Sequence, residues 1–305
     1  MNVFLALLQQ MIPLYGLMLV GYTSGKYLGV SKDTVAKLLL YVFSPVVIFD
    51  SIFTSKITLS ILSIPLLAYL LCTIVALITL LVASFMWKDD TKNMLSLGIA
   101  NGNFGFLGLP LTLLLLGQKY VALTALFVLG AAVFIASLGM FLVARAKYNL
   151  RDSMIKVLQM PLIYAVLLGL LLNVLKIPIH SSIVQVLNNV NGAYSVLGLM
   201  LVGIAMSELG KIKIDGVLVV FITIMTFILW PLLIFGFIFL DKNTLRFYTP
   251  EVYRMLLLMA IVPIGASIVA ISTELKVQPE KASFAVLFTT LISLIYIPAF
   301  ISLFM

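Results

Sequence analysis

The sequence predicts an all-α membrane protein of ten transmembrane helices, arranged as two inverted five-helix repeats with a broken helix in each. Three observations predict it. Of 305 residues, 63% are hydrophobic and 10% charged, with a mean hydropathy of +1.23, where a soluble protein carries about 25% charged residues. The apolar residues fall into ten runs, each long enough to cross a bilayer at about 20 residues. Two of those runs are interrupted midway by helix-breaking residues, at corresponding places in the two halves.

In chain order the runs are approximately 3–25, 34–55, 59–86, 93–117, 120–144, 154–175, 182–206, 214–240, 251–273 and 281–303. Short polar connections separate them: Gly29–Asp33, Trp87–Lys92, Arg145–Asp152, Lys176–Ser181, Glu208–Lys213, Asp241–Pro250 and Lys276–Lys281. None has room for a soluble domain. The first run begins at Val3 with no basic residue before it and contains Gln9, Gln10 and Pro13. It reads as a true span rather than a cleavable signal, whose apolar core is shorter and ends at a small-residue site.

Charge sets the orientation. There are 19 Lys+Arg against 11 Asp+Glu, a formal charge of +8. A nucleic-acid face needs clustered cations on a soluble surface, whereas here they are scattered among short loops, which excludes nucleic acid as a partner. Loops after the odd-numbered runs hold 13 of the 19, among them Lys26, Lys88, Arg145, Lys147, Lys211 and Lys276. The positive-inside rule therefore places those loops in the cytoplasm and both termini outside, across the cytoplasmic membrane.

The two halves, 1–150 and 151–305, repeat. Gln10-Met11-Ile12-Pro13 parallels Gln159-Met160-Pro161, Asn93-Met94-Leu95 parallels Arg254-Met255-Leu256, and Gln118-Lys119-Tyr120 parallels Gln278-Pro279-Glu280. Five spans per half is an odd number, so the second repeat lies inverted, as in secondary transporters whose sites form where two discontinuous helices meet. The first break, Asn101-Gly102-Asn103-Phe104-Gly105-Phe106-Leu107-Gly108-Leu109-Pro110, holds three glycines, two asparagines and a proline. Its expected equivalent near 262–271 begins Val262-Pro263-Ile264-Gly265-Ala266-Ser267, again with proline, glycine and serine inside an apolar run. Glycine and proline weaken a helix, and backbone freed in lipid must find partners in protein or a water-filled cavity.

The candidate substrate-binding residues follow from these breaks. Asn101 and Asn103 offer amide donors and acceptors beside a half-helix N-terminus, where a carboxylate is favoured; alternatively they satisfy carbonyls freed by the glycines. Gly105, Pro110, Pro263 and Gly265 shape the crossing, and Ser267 offers a hydroxyl to a ligand or to its own helix. Asn188 and Asn191, three apart in run seven, share a helix face that lines a cavity or bonds a neighbour. Pro45 and Gly198 let runs two and seven bend around the site. Asp50, in Phe49-Asp50-Ser51, is the most membrane-embedded carboxylate and hence a candidate for coupling to protons or sodium; the alternative is that it reaches interfacial water. Glu208 and Glu274, among Lys211, Lys213 and Lys276, fit interfacial charge pairing.

Other chemistries find no support. The single cysteine, Cys72, and the single histidine, His180, form no metal or disulfide pattern. No H-E-x-x-H, G-x-S-x-G, P-loop or dinucleotide fingerprint is present. Neither an enzyme nor a bound cofactor is expected.

At its two breaks the chain resembles the auxin efflux carrier family, which includes plant PIN-type carriers and bacterial malate-permease-like members. The resemblance rests on Asn101–Pro110, closed by Gly108-Leu109-Pro110, and on Pro263-Ile264-Gly265 followed by Glu274, Val277 and Pro279. With ten spans it covers essentially the whole chain. It implies a fold like that of bile-acid symporters and sodium–proton antiporters, with a scaffold of helices 1, 2, 6 and 7 and a transport subdomain of helices 3–5 and 8–10. It also implies elevator-type alternating access, a small carboxylate held at the crossing by Asn101 and Asn103 with Pro263, and a homodimer through the scaffold. The chain departs from many relatives in lacking a polar residue directly after Pro263, where Ile264, Gly265 and Ala266 stand. The residues leave open a cation-coupled antiporter or channel using Asp50, and a transporter-like sensor that binds without turnover.

Overall fold

In lipid a chain must satisfy its own backbone donors and acceptors, and a helix does so within one segment. The apolar runs accordingly fold as helices. The computed structural model describes residues 3–54, 58–144, 161–177, 180–207, 215–265 and 267–304. Its helices are α1 Val3–Leu28, α2 Lys32–Thr54, α3 Leu59–Met86, α4 Thr91–Ala100, α5 Phe104–Leu116 and α6 Gln118–Val143. They continue as α7 Pro161–Val174, α8 Ser181–Ser207, α9 Gly216–Asn243, α10 Pro250–Met259, α11 Ser267–Leu275 and α12 Pro279–Phe304. Where both are described, these ends lie within a turn of those read from the sequence. Among the described residues there is no β-strand.

Among the described residues, six helices are long and apolar enough to cross a membrane by length and composition alone: α2, α3, α6, α8, α9 and α12. The pairs α4/α5 and α10/α11 do not reach that length because each is one apolar run cut in the middle. Runs four and nine are therefore pairs of half-helices rather than single spans. The loops carrying Arg145, Lys147, Glu208, Lys211 and Lys213 lie outside the described residues, as does Ala266.

Packing follows the small residues. α1 lies chiefly against α8, and α2 against α7 and α8. A side chain at Gly21 or Gly203 would run into the backbone of the facing helix at Met200 or Met18; such small residues let helix backbones approach in a bilayer. α3 packs on α4 and α6, with Ile64, Ala68, Cys72, Val75 and Ala76 fully buried. Between α3 and α4, Ser96 Oγ donates to the Ala76 carbonyl at 2.8 Å, so this buried hydroxyl is satisfied across the contact.

Loop chemistry fixes the ends. Gly117, at φ +95°, turns the chain between α5 and α6, a conformation that L side chains rarely adopt. Asp241, near the end of α9, is 3% exposed and accepts from Phe247 N at 3.2 Å, Tyr248 N at 3.0 Å and Tyr253 Oη at 2.6 Å. That carboxylate organises the whole loop leading into α10. At another loop Asp89 meets Lys281 at 3.5 Å and accepts from Gln278 Nε2 at 3.1 Å, joining the start of α4 to that of α12.

Candidate functional site: the helix crossing

The two breaks meet. Asn101 leaves α4 with φ −105° and ψ 81°, and Asn103 enters α5 with φ −73° and ψ 52°. Between them Gly102 forms an antiparallel bridge with Ile264 of the second break. Asn103 N donates to Pro263 O at 2.7 Å and Gly265 N to Asn101 O at 2.9 Å, while Ile264 N donates to Thr289 Oγ1 of α12 at 3.2 Å. Backbone freed by the breaks is thus satisfied within the protein, as the membrane interior requires. Glycine is needed on both sides. A Cβ on Gly265 would lie 3.0 Å from Asn101 O, and one on Gly102 would lie 2.9 Å from Val262 Cγ2.

The asparagines divide the work. Asn101 Nδ2 donates to Ser267 Oγ at 2.7 Å, tying the end of α4 to the start of α11. The side chain of Asn103 has no hydrogen bond among the described residues, yet the residue is only 7% exposed. Around it α5 and α11 both begin and α4 and α10 both end. Two helix N-termini, each carrying a partial positive charge of roughly half a unit, therefore start at the crossing, one directly after Asn103 and one at Ser267 beside Asn101.

The first turn of α5 is wide. Gly108 N donates to Asn103 O, five residues back, at 2.9 Å; such π-type turns are frequent at functional sites. Pro110, one turn on, has no N–H for the Gly105 carbonyl five residues behind it. Tyr194 Oη on α8 donates to that carbonyl at 3.1 Å instead. Gly198, one turn further along α8, lies so close to Pro110 that a Cβ would come within 2.7 Å of its ring. α8 therefore rests on the first crossing half through Tyr194 and Gly198.

Asp50 is 8% exposed. Its Oδ2 accepts from Asn191 Nδ2 on α8 at 2.9 Å and from Gln118 Nε2 at the start of α6 at 3.2 Å. Asn191 thus fulfils the neighbour-bonding reading. Asn188 does not share its environment and stands exposed. Three residues apart on a helix are about 60° apart around its axis, and the edge of the contact falls between them.

Of the residues singled out in the sequence, Asn101, Asn103, Gly105, Pro110, Pro263, Gly265 and Ser267 gather at the crossing. Asp50 and Asn191 form a neighbouring cluster. Arg254 is exposed on α10 and His180 is exposed at the start of α8, bonded to Ser182. Glu208 and the side chain of Glu274 lie outside the described residues. Sequence reasoning missed Tyr194, Gln118, Thr289 and Trp230. Trp230 Nε1 donates to Ile99 O at 2.7 Å and so caps the freed end of α4. Only Tyr194 had a signal, one helical turn from Asn191 and from Gly198.

A multi-pass helical membrane protein with two interrupted helices meeting inside it belongs to the class of membrane transport proteins. The family model described as Membrane transport protein matches residues 6–301, and the chain belongs to that family, the family of the auxin efflux carriers. No curated protein matches it.

Proposed function

We propose that the protein is a secondary carrier of small organic anions, carboxylates of the malate or auxin kind, working by elevator-type alternating access. The observation that carries this reading is the Asn103 amide, 7% exposed and without a side-chain hydrogen bond among the described residues, at the crossing where two half-helices start. An amide so nearly buried keeps little water and, among the described residues, has no protein partner in its place. A carboxylate accepting from it supplies that partner and meets the positive ends of α5 and α11. Neither break contains Lys or Arg, so neutral donors hold the anion and release it as the site changes sides.

The finer architecture belongs to the same proposal: ten spans as two inverted repeats, both termini outside the cytoplasmic membrane, and a homodimer through the scaffold. In its support, α4 and α10 are ten residues each, end at the crossing, and are each followed by a second half-helix. The packing of α1 on α8 and α2 on α7, against that of α3 on α4 and α6, supports a scaffold of α1, α2, α7 and α8. The transport group is then α3–α6 with α9–α12. A second reading, cation-coupled antiport or a channel, draws on the burial of Asp50.

Radiolabelled malate and indole-3-acetate offered to proteoliposomes test the carrier. Saturable uptake that Asn103→Ala abolishes is expected. Binding without flux leaves a sensor and flux that never saturates leaves a channel; either result removes the carrier.

A further inference from the structure

The Asp50 cluster joins parts of the molecule that the crossing does not. Asp50 stands on α2 and Asn191 on α8, both in the proposed scaffold. Gln118 stands at the start of α6, directly after the Gly117 turn, in the proposed transport group. All three meet at one atom, Asp50 Oδ2, at 2.9 Å from Asn191 and 3.2 Å from Gln118. Any sliding of α3–α6 past α2 and α8 must break the Gln118 bond and can leave the Asn191 bond whole.

We infer that Gln118 is a positioning residue of transport, a latch on the Asp50 carboxylate that one proton releases. Ionised, Asp50 accepts two charge-assisted bonds, which are roughly twice as strong as neutral ones. Breaking the Gln118 bond leaves a buried carboxylate with one amide donor, an unfavourable state for a charge out of water. Taking one proton from the water that reaches half-buried Gln118 turns the carboxylate into a neutral acid. Both bonds weaken, and the cost of separating the groups falls. Protonation thereby favours movement, and loss of the proton favours the arrangement seen here.

None of the other charged or titratable groups nearby is bonded to Asp50 among the described residues. Tyr194 on α8 is committed to Gly105 O, and Tyr164 on α7 is exposed. On α6, Lys119 Nζ lies over the Tyr120 ring at 5.0 Å. Asp33, Lys32 and Lys37 sit at the opposite end of α2, and Lys176 follows α7. Among the described residues no Lys or Arg forms an ion pair with Asp50.

The inference rests on the two-group reading of the fold, and the test separates the two. Spin labels at Tyr27 on α1 and Phe85 on α3, both exposed, report the distance between the groups in the full chain with Cys72→Ser. One distance at high pH and a second, growing population as pH falls are expected. Asp50→Asn should show the second population at every pH, and Gln118→Ala should raise it at least threefold at neutral pH. Gln118→Glu places a second carboxylate against Asp50, so its transition should move to higher pH, since like charges disfavour ionisation. That upward shift is one a merely structural glutamine would not give. Two populations that ignore pH and Gln118 overturn the latch alone. A single distance in every variant, with saturable uptake intact, overturns the two-group movement beneath it.

Discussion

Tyr194 donates its hydroxyl to the Gly105 carbonyl at 3.1 Å, the acceptor that Pro110, lacking an N–H, leaves open in the wide turn of α5. The bond joins α8 to the first crossing half at a carbonyl that α5 cannot satisfy itself. Tyr194→Phe removes the donor and keeps the ring. A loss of about 1 kcal/mol in stability is expected, the net worth of one hydrogen bond, measurable by thermal unfolding in detergent. Unchanged unfolding would mean that Gly105 finds another donor.

The two asparagines should part company on mutation. Asn101→Ala breaks the link to Ser267 Oγ and should cost about 1–2 kcal/mol of stability. Asn103→Ala removes no side-chain hydrogen bond among the described residues and should leave unfolding nearly unchanged while abolishing uptake. In a double-mutant cycle, Asn101→Ala with Ser267→Ala should be non-additive by at least about 0.5 kcal/mol, as for residues in contact. Additive losses would sink the pairing.

The crossing was legible because its signal is local. Glycine, asparagine and proline inside an apolar run break a helix whatever surrounds them, and Asn101–Pro110 and Pro263–Ser267 announce themselves that way. The Asp50 cluster was not legible. Its donors lie 141 and 68 residues away in the chain, and no spacing rule relates Gln118 to Phe49-Asp50-Ser51. Tyr194 was half legible: Pro110 dictates that a carbonyl lacks its partner, but only the fold says who supplies one. Asn188 and Asn191 differ in burial because a helix face has an edge, and sequence spacing does not say where it falls.

Gly198 is the close point between α8 and Pro110. In Gly198→Ala the new Cβ would lie 2.7 Å from Pro110 Cγ and 3.2 Å from Phe106 O. A proline ring cannot rotate away, so the helices must separate. Overpacking of this kind costs about 1–3 kcal/mol. Uptake should slow as well, because the contact lies between the two groups proposed to slide. Wild-type unfolding and uptake in Gly198→Ala would show that α8 has slack there.

Asp89 supplies part of the acid dependence of stability. Partial burial pushes its carboxyl upward, but hydrogen bonds from the Thr91 side chain and N–H, together with Lys281, outweigh burial and hold it below the ordinary 3.8. A carboxylate depressed by folding contributes stability that is fully present above its unfolded pKa. That contribution is lost as pH falls through the lower folded value. The loss should therefore appear only below about pH 4. Asp89 is half exposed and its contact with Lys281 is a single 3.5 Å pair, so solvent screening keeps the effect below about 1 kcal/mol. Asp89→Asn should unfold slightly more easily than wild type at pH 7 and equally at the acid end. A difference between the two proteins that persists unchanged through pH 3 would assign the effect to packing rather than to charge.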